Sequence, residues 1–179
     1  KLESPNGYSE QGLDAIAVAN DLSANLWKKI AFSAGTFPLE AWPKYINNYM
    51  RQRVLRPLNI VDDLATRVGG SADKIRGKIR RVEHHNAHAA SSYYTSPFPK
   101  AAILTMDGSG DFVTCALSLG NGSRIKRLDS LYWPNSLGML YFSVTQYLGV
   151  HEIGAEGKVM ALASFGRPRY VDEFRKILK

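Results

Sequence analysis

Apolar residues in this chain fall into short runs separated by polar and glycine-rich breaks, as alternating strands and helices do. Asp14 to Asn20 encloses Ala-Ile-Ala-Val-Ala between polar residues and predicts a buried strand. Leu22 to Ser33 is compatible with a helix. Phe37 to Tyr49 is aromatic-rich and broken by Pro38 and Pro43, so no element is assigned there. From Leu58 to Val68 the apolar residues recur at helical spacing, with Pro57 suited to the first turn. Gly69-Gly70 ends that helix, and Ser71 caps a short one after it. Ile79 to Val82 predicts a strand running into a pair of histidines. His85 to Tyr94 is alanine-rich without a breaker, a helix that Pro97 and Pro99 close.

Ala101 to Met106 is a nearly continuous apolar run, followed by the polar, glycine-rich loop Asp107-Gly108-Ser109-Gly110-Asp111. Phe112 to Leu119 predicts the next strand, Gly120-Asn121-Gly122 a turn, and Ile125 to Tyr132 a third strand, giving a meander. Ser136 is placed to cap a helix over Leu137–Leu148 closed by Gly149, and Glu156 to Ser164 forms another, closed by Gly166 and Pro168. Tyr170 to Lys179 reads as a helix cut off in mid-course. The alternation argues an α/β fold with a mixed sheet and flanking helices.

At 179 residues, 45% hydrophobic and 22% charged, the chain has the size and composition of one globular domain. No apolar run approaches the roughly 18 residues of a membrane span. Lys1 to Pro5 has neither an initiator Met nor an apolar signal core, so both ends are expected to be boundaries within a larger protein. A single cysteine, Cys115, excludes an internal disulfide, fits a cytoplasmic setting, and reads as a core thiol. The net charge of +7 concentrates around Arg51–Arg56 and Lys74–Arg81, with no aromatic residues interleaved for stacking on bases. Nucleic-acid binding is disfavoured; a solvated basic face or attraction of phosphate-bearing substrates accounts for the charge.

Three constellations can carry chemistry. In Glu83-His84-His85-Asn86-Ala87-His88, His84 and His88 are four apart, so their imidazoles share one helix face and suit one metal ion. Histidines without a metal are the plain alternative, and a third ligand must come from elsewhere in the protein. His85 and Glu83 point away from that face, towards substrate or into support of the ligands. In Asp107–Asp111 the glycines allow close approach of a phosphate, and Asp107 suits a metal-bound water or the magnesium accompanying a nucleotide. The plain alternative is a hairpin connector. In Glu156-Gly157-Lys158 a glycine and an ammonium meet at a helix start, as an anion site requires, although an isolated lysine is usually a surface residue. The spacing is not that of a phosphate-binding P-loop.

Taken together, these segments resemble the O-carbamoyltransferases of antibiotic and nodulation-factor biosynthesis. The resemblance is carried by Glu83 to Tyr94 with Ser96-Pro97-Phe98, by Leu104 to Asp111, by Ser136-Leu137-Gly138 with Tyr141, Thr145 and Leu148-Gly149, and by Glu156 to Ala163 with Phe165-Gly166. It is dense over residues 82–166, and the family commonly has Glu where Asp111 stands. It implies that residues 1–179 form part of one actin-like (ribonuclease H-like) catalytic domain, truncated at both ends. A YrdC-like domain elsewhere in such proteins makes carbamoyladenylate from carbamoyl phosphate and ATP, and the actin-like domain passes the carbamoyl group to a hydroxyl of a small-molecule or sugar acceptor. His84 and His88 are then expected to ligate a metal, iron or another transition metal. His85 and Asp107 are expected to be catalytic. Gly108, Ser109, Gly110, Asp111, Glu156, Gly157 and Lys158 are expected to line the nucleotide site. The base for the acceptor hydroxyl is expected before Lys1 and a further metal-binding carboxylate beyond Lys179. The tRNA threonylcarbamoyltransferases share fold and paired histidines and form the nearest alternative; a non-catalytic nucleotide- or metal-binding module is the other.

Overall fold

The structure is a computed structural model that describes residues 14–21, 23–36, 56–68, 70–152 and 154–178. Its elements run β1 (Ile16–Val18), α1 (Leu26–Thr36), α2 (Arg56–Val68), α3 (Ala72–Lys78), β2 (Ile79–Arg81), α4 (His84–Tyr93), β3 (Lys100–Gly110), β4 (Val113–Asn121), β5 (Arg124–Tyr132), α5 (Leu137–Tyr147), α6 (Glu156–Ala163) and α7 (Val171–Ile177). The mixed α/β class expected from the sequence is what the chain adopts. The aromatic-rich stretch from Phe37 to Tyr49 lies outside the described residues.

Among the described residues, two small sheets carry the fold. β1 and β2 pair in parallel, Ile16 opposite Ile79 and Val18 opposite Arg81. β3, β4 and β5 form an antiparallel meander in sequence order. α4 lies across β3 and β4, where Ala89 and Tyr93 bury against Ile103, with Ala101 and Ile125 packed around them. The other face of the meander keeps Leu104, Met106, Leu117 and Leu131 exposed, and Cys115 is half-buried between the register partners Met106 and Leu131 rather than sealed in a core.

The glycine-rich segment departs from the sequence expectation. Asp107 to Gly110 is not a loop but the end of β3, and only Asp111 and Phe112 turn the chain into β4. Both turn residues have positive φ, 50° and 76°, the signature of a two-residue hairpin that right-handed strand twist favours. Asp tolerates this region; a phenylalanine is strained there by about 1–2 kcal/mol. Around Phe112 the offsetting contacts are an edge-on ring contact with Phe32 at 5.7 Å and a hydrogen bond from the Trp133 amide to its carbonyl.

Bulges interrupt the ladders. On β3, pairing jumps from Met106–Cys115 to Gly110–Val113, so the stretch from Asp107 to Ser109 swings out of register. Between β4 and β5 there are two shifts: Thr114 is extra on β4, and Leu128 is extra on β5. Such irregularities bend a strand and re-aim the side chains beside them.

α5 docks against the bulged end of β3. The Ser136 hydroxyl caps the helix by accepting from the Met139 amide, and donates to the Gly108 carbonyl at 2.7 Å. Gly138 makes the approach possible, because a Cβ there would stand 2.7 Å from the Gly108 nitrogen and 2.8 Å from the Asp107 carbonyl carbon.

Candidate metal centre

α4 begins with the backbone amides of His84, His85 and Asn86, which no helical carbonyl reaches, all satisfied. The His84 amide donates to the Asp111 carboxylate at 2.9 Å, and those of His85 and Asn86 donate to the Glu83 carboxylate at 3.2 and 2.8 Å. The Ala87 amide reaches the Glu83 carbonyl. A helix start occupied in this way is no site for a phosphate, and the two carboxylates complement the positive end of the helix dipole.

One turn apart on this helix, His84 and His88 bring their Nε2 atoms within 3.0 Å of each other. Asp107, swung out by the β3 bulge, places Oδ2 2.7 Å from His84 Nε2 and 3.6 Å from His88 Nε2. The other ring nitrogen of His84 donates to the Ala19 carbonyl at 3.2 Å, just after β1. With that proton committed, Nε2 turns a lone pair towards a carboxylate and a second imidazole. Such a convergence is stable only around a cation, a proton or a metal ion. Ligands about 2.0–2.1 Å from a metal stand roughly 2.9–3.4 Å apart in octahedral or tetrahedral geometry. The three separations bracket that range, and two imidazoles with one carboxylate leave positions open, as a catalytic metal requires. The residues present fit a transition metal.

Burial acts to raise the Asp107 carboxyl, but the hydrogen bond with His84, the Gly108 amide and the nearby imidazoles outweigh it, so the group is held below the usual carboxylate range. It is therefore available as an anionic ligand. From the sequence Asp107 suits a metal-bound water or the magnesium of a nucleotide; in the structure its carboxylate stands beside the Nε2 atoms of His84 and His88.

The structure separates the remaining expected residues. His85 is fully buried: Nδ1 accepts from the Thr105 hydroxyl at 2.8 Å and Nε2 donates to the Val113 carbonyl at 3.0 Å. Burial pushes this imidazole below its ordinary range, opposed by the Val113 carbonyl and the Glu83 charge, and so keeps it neutral. Both nitrogens are engaged with the sheet, which does not bring His85 to the metal ligands or to the cavity. Asp111 is also buried, its carboxylate taking the amides of Asp21 and His84. Gly110 is buried beneath the His84 ring.

Beside Asp107 opens a cavity of about 750 Å³, whose lining includes Met106, Gly108, Gly138, Met139, Phe142 and Glu156. Gly108 and Glu156 thus reach an open space next to the ligand cluster. Gly157 and Lys158 do not line it; the Lys158 ammonium is exposed and ion-paired with Glu152. Ser109 is half-buried near the end of the bulge.

Glu83, expected to face substrate or to support the ligands, caps α4 in place of the usual Ser, Thr, Asp or Asn. Other residues that hold the site carry no signal in the sequence. Ala19, Asp21 and Asn25 reach the site from the segment after β1, through backbone groups and a side-chain amide that leave no motif. Arg127 on β5 ion-pairs with Glu83 at 2.7 Å.

The buried environment of His85 yields a prediction. His85→Leu removes both ring hydrogen bonds from a fully buried site, the Thr105 hydroxyl and the Val113 carbonyl losing their imidazole partner, and destabilises the fold by about 1–3 kcal/mol. Urea unfolding should read that loss, while metal binding by the folded protein stays within a few-fold of wild type. A fully stable variant that has lost turnover would restore a chemical role to His85.

The carbamoyltransferase N-terminus family matches residues 12–179. An uncharacterised protein of Synechocystis is 44% identical over 90 residues, half of this chain and 15% of that protein. Nodulation protein NolNO of Sinorhizobium fredii is 41% identical over 105 residues, 59% of this chain and 15% of that protein. Nodulation protein NolO of Bradyrhizobium diazoefficiens is 36% identical over 96 residues, 54% of this chain and 17% of that protein. The chain therefore spans under a fifth of the length of these relatives where it matches them. With the match running over nearly all of its residues, the chain belongs to the carbamoyltransferase N-terminal family.

Proposed function

We propose that this chain forms part of the catalytic domain of an O-carbamoyltransferase, with a metal held by His84, His88 and Asp107 and the carbamoyl donor seated in the adjoining cavity. The observation that carries the reading is the convergence of three lone-pair-bearing side-chain atoms, of which Asp107 also lines that cavity. The family supports transfer of a carbamoyl group; carbamoyladenylate as donor, iron as metal and a hydroxyl-bearing small molecule or sugar as acceptor complete the proposal. An actin-like architecture is compatible with the antiparallel meander β3–β4–β5 followed by α5. A YrdC-like domain of the full-length protein is the proposed source of carbamoyladenylate from carbamoyl phosphate and ATP.

The metal's contribution is Lewis-acid polarisation of the carbamoyl carbonyl, which raises its reactivity towards a hydroxyl. The protein's contribution is placement. Ala19 fixes the His84 tautomer through its carbonyl, and the β3 bulge holds Asp107 opposite the histidine pair. Met139 and Phe142 give the cavity an apolar wall, suited to the flat face of a nucleobase. Glu156 offers a carboxylate at its lining, suited to a ribose or acceptor hydroxyl.

The test uses the full-length protein with carbamoyl phosphate, ATP and a panel of sugar and antibiotic alcohols, comparing wild type with His88→Ala. Carbamoylated product from the wild type, and at least a 100-fold loss in the variant, is expected, since removing one of three ligands dismantles the centre. Equal turnover by both would remove the metal centre from the mechanism. Nucleotide and metal binding without any carbamoyl transfer would make the chain a binding module.

A further inference from the structure

We infer that Arg127 is a positioning residue for the metal centre: from β5 it fixes the first turn of α4 and thereby the aim of His84 and His88. The inference rests on the metal centre proposed above and adds a residue that touches neither metal nor cavity.

The geometry is specific. Arg127 Nη2 donates to the Glu83 carboxylate at 2.7 Å and to the Asn86 side-chain oxygen at 2.6 Å. These two acceptors flank His84 and His85 in sequence. Glu83 is also the cap of α4, so the guanidinium, the cap and the first turn form one unit. The Glu83 side chain is only 11% exposed and that of Arg127 25%, so solvent screens the pair weakly. His84 and His88 ride on α4 whereas Asp107 belongs to β3. Rotation or sliding of α4 against the sheet is therefore the motion that would pull the ligands apart, and Arg127 resists it from a third strand.

A second observation shows how the strand is built to do this. In a regular strand, residues three apart point to opposite faces. Arg127 and Ser130 are three apart, yet Arg127 Nη1 donates to the Ser130 hydroxyl at 3.1 Å. The extra residue Leu128 makes this possible: pairing steps from Leu117–Asp129 to Ser118–Arg127, and the bulge returns Ser130 to the face that Arg127 occupies. The hydroxyl then holds the guanidinium from behind while the carboxylate and amide hold it in front.

The test is titration of the full-length protein with Co²⁺ alone, read by affinity and by the visible ligand-field spectrum, with thermal unfolding in parallel. For Arg127→Met we expect a folded protein whose Co²⁺ affinity falls about tenfold or more, within the range for residues that orient metal ligands, together with a changed spectrum. Arg127→Lys, which keeps the charge and reaches Glu83, should recover part of both. Unchanged affinity and spectrum in folded Arg127→Met would overturn the inference. Where that variant fails to fold, Ser130→Ala decides. It leaves the ion pair intact but frees the guanidinium, so weaker affinity supports the positioning role and wild-type affinity overturns it. A wild type that binds no Co²⁺ would instead sink the metal centre itself, and the inference with it.

Discussion

Gly110→Ala should cost roughly 100-fold in metal affinity, the upper end for a residue that supports ligands without being one. The argument is steric. A Cβ at position 110 would lie 1.9 Å from Cδ2, 2.2 Å from Cγ and 2.7 Å from Cβ of His84. Rotating the imidazole relieves the first two clashes but not the third, because the His84 Cβ moves only with its backbone. α4 itself must shift, and with it His88, while Asp107 stays on β3. Metal centres tolerate displacements of only about 0.5 Å before ligation degrades. The fold loses less, on the order of 1–3 kcal/mol for an overpacked position. Calorimetric metal titration beside urea unfolding separates the two effects. Wild-type affinity in Gly110→Ala would mean that the histidine pair is not held as described.

The second large effect falls on stability. Asp111→Ala should destabilise the fold by roughly 3–5 kcal/mol, since two partly buried amides lose a charged acceptor worth about 1.5–3 kcal/mol each. One carboxylate oxygen receives the Asp21 amide at 2.8 Å and the His84 amide at 2.9 Å, and the residue is 7% exposed. Asp111 thereby ties the segment after β1 to the start of α4 and to the β3–β4 turn. Alanine also sits poorly at φ 50°, which aspartate and asparagine tolerate. Asp111→Asn keeps an acceptor oxygen and the tolerated backbone, so its cost should stay near 1 kcal/mol. Chemical unfolding of both variants gives the comparison; Asp111→Ala within 1 kcal/mol of wild type would refute the tie. A total stability of about 5–15 kcal/mol makes the larger loss a threat to folding itself.

Local periodicity made much of the fold legible. The strand near Ile16, the helix entered through Pro57, the alanine-rich helix after Glu83 and the meander all lie where the apolar pattern places them, although the first is half-exposed where that pattern argues burial. Misreadings occurred where tertiary contacts override local signals. Asp107 to Gly110 carries turn chemistry yet continues β3, because Gly110 makes room for an imidazole and Gly138 for a helix. His84 and His88 were legible as a pair because helical spacing is a local property. Their third partner was not, since Asp107 reaches them only through a bulge that no spacing rule encodes. His85 looked chemical by company and is structural by burial. The supports from Ala19 and Arg127 were invisible because a backbone carbonyl and a lone arginine leave no pattern in one dimension.

The two shifts between β4 and β5 also bear on how this hairpin can change its length. Thr114 is surplus on one strand and Leu128 on the other, so the register before the first shift is restored after the second. Neither residue has a partner of its own, so deletion of either alone would leave the pairings on both sides intact and close the ladder into a regular one at that point. Without Leu128, Arg127 and Ser130 would stand two apart and still share a face, since their partners Ser118 and Ala116 are two apart on β4. This hairpin can therefore shorten at its two surplus residues without turning a side chain over, whereas loss of a paired residue between them would put one strand a step out of phase.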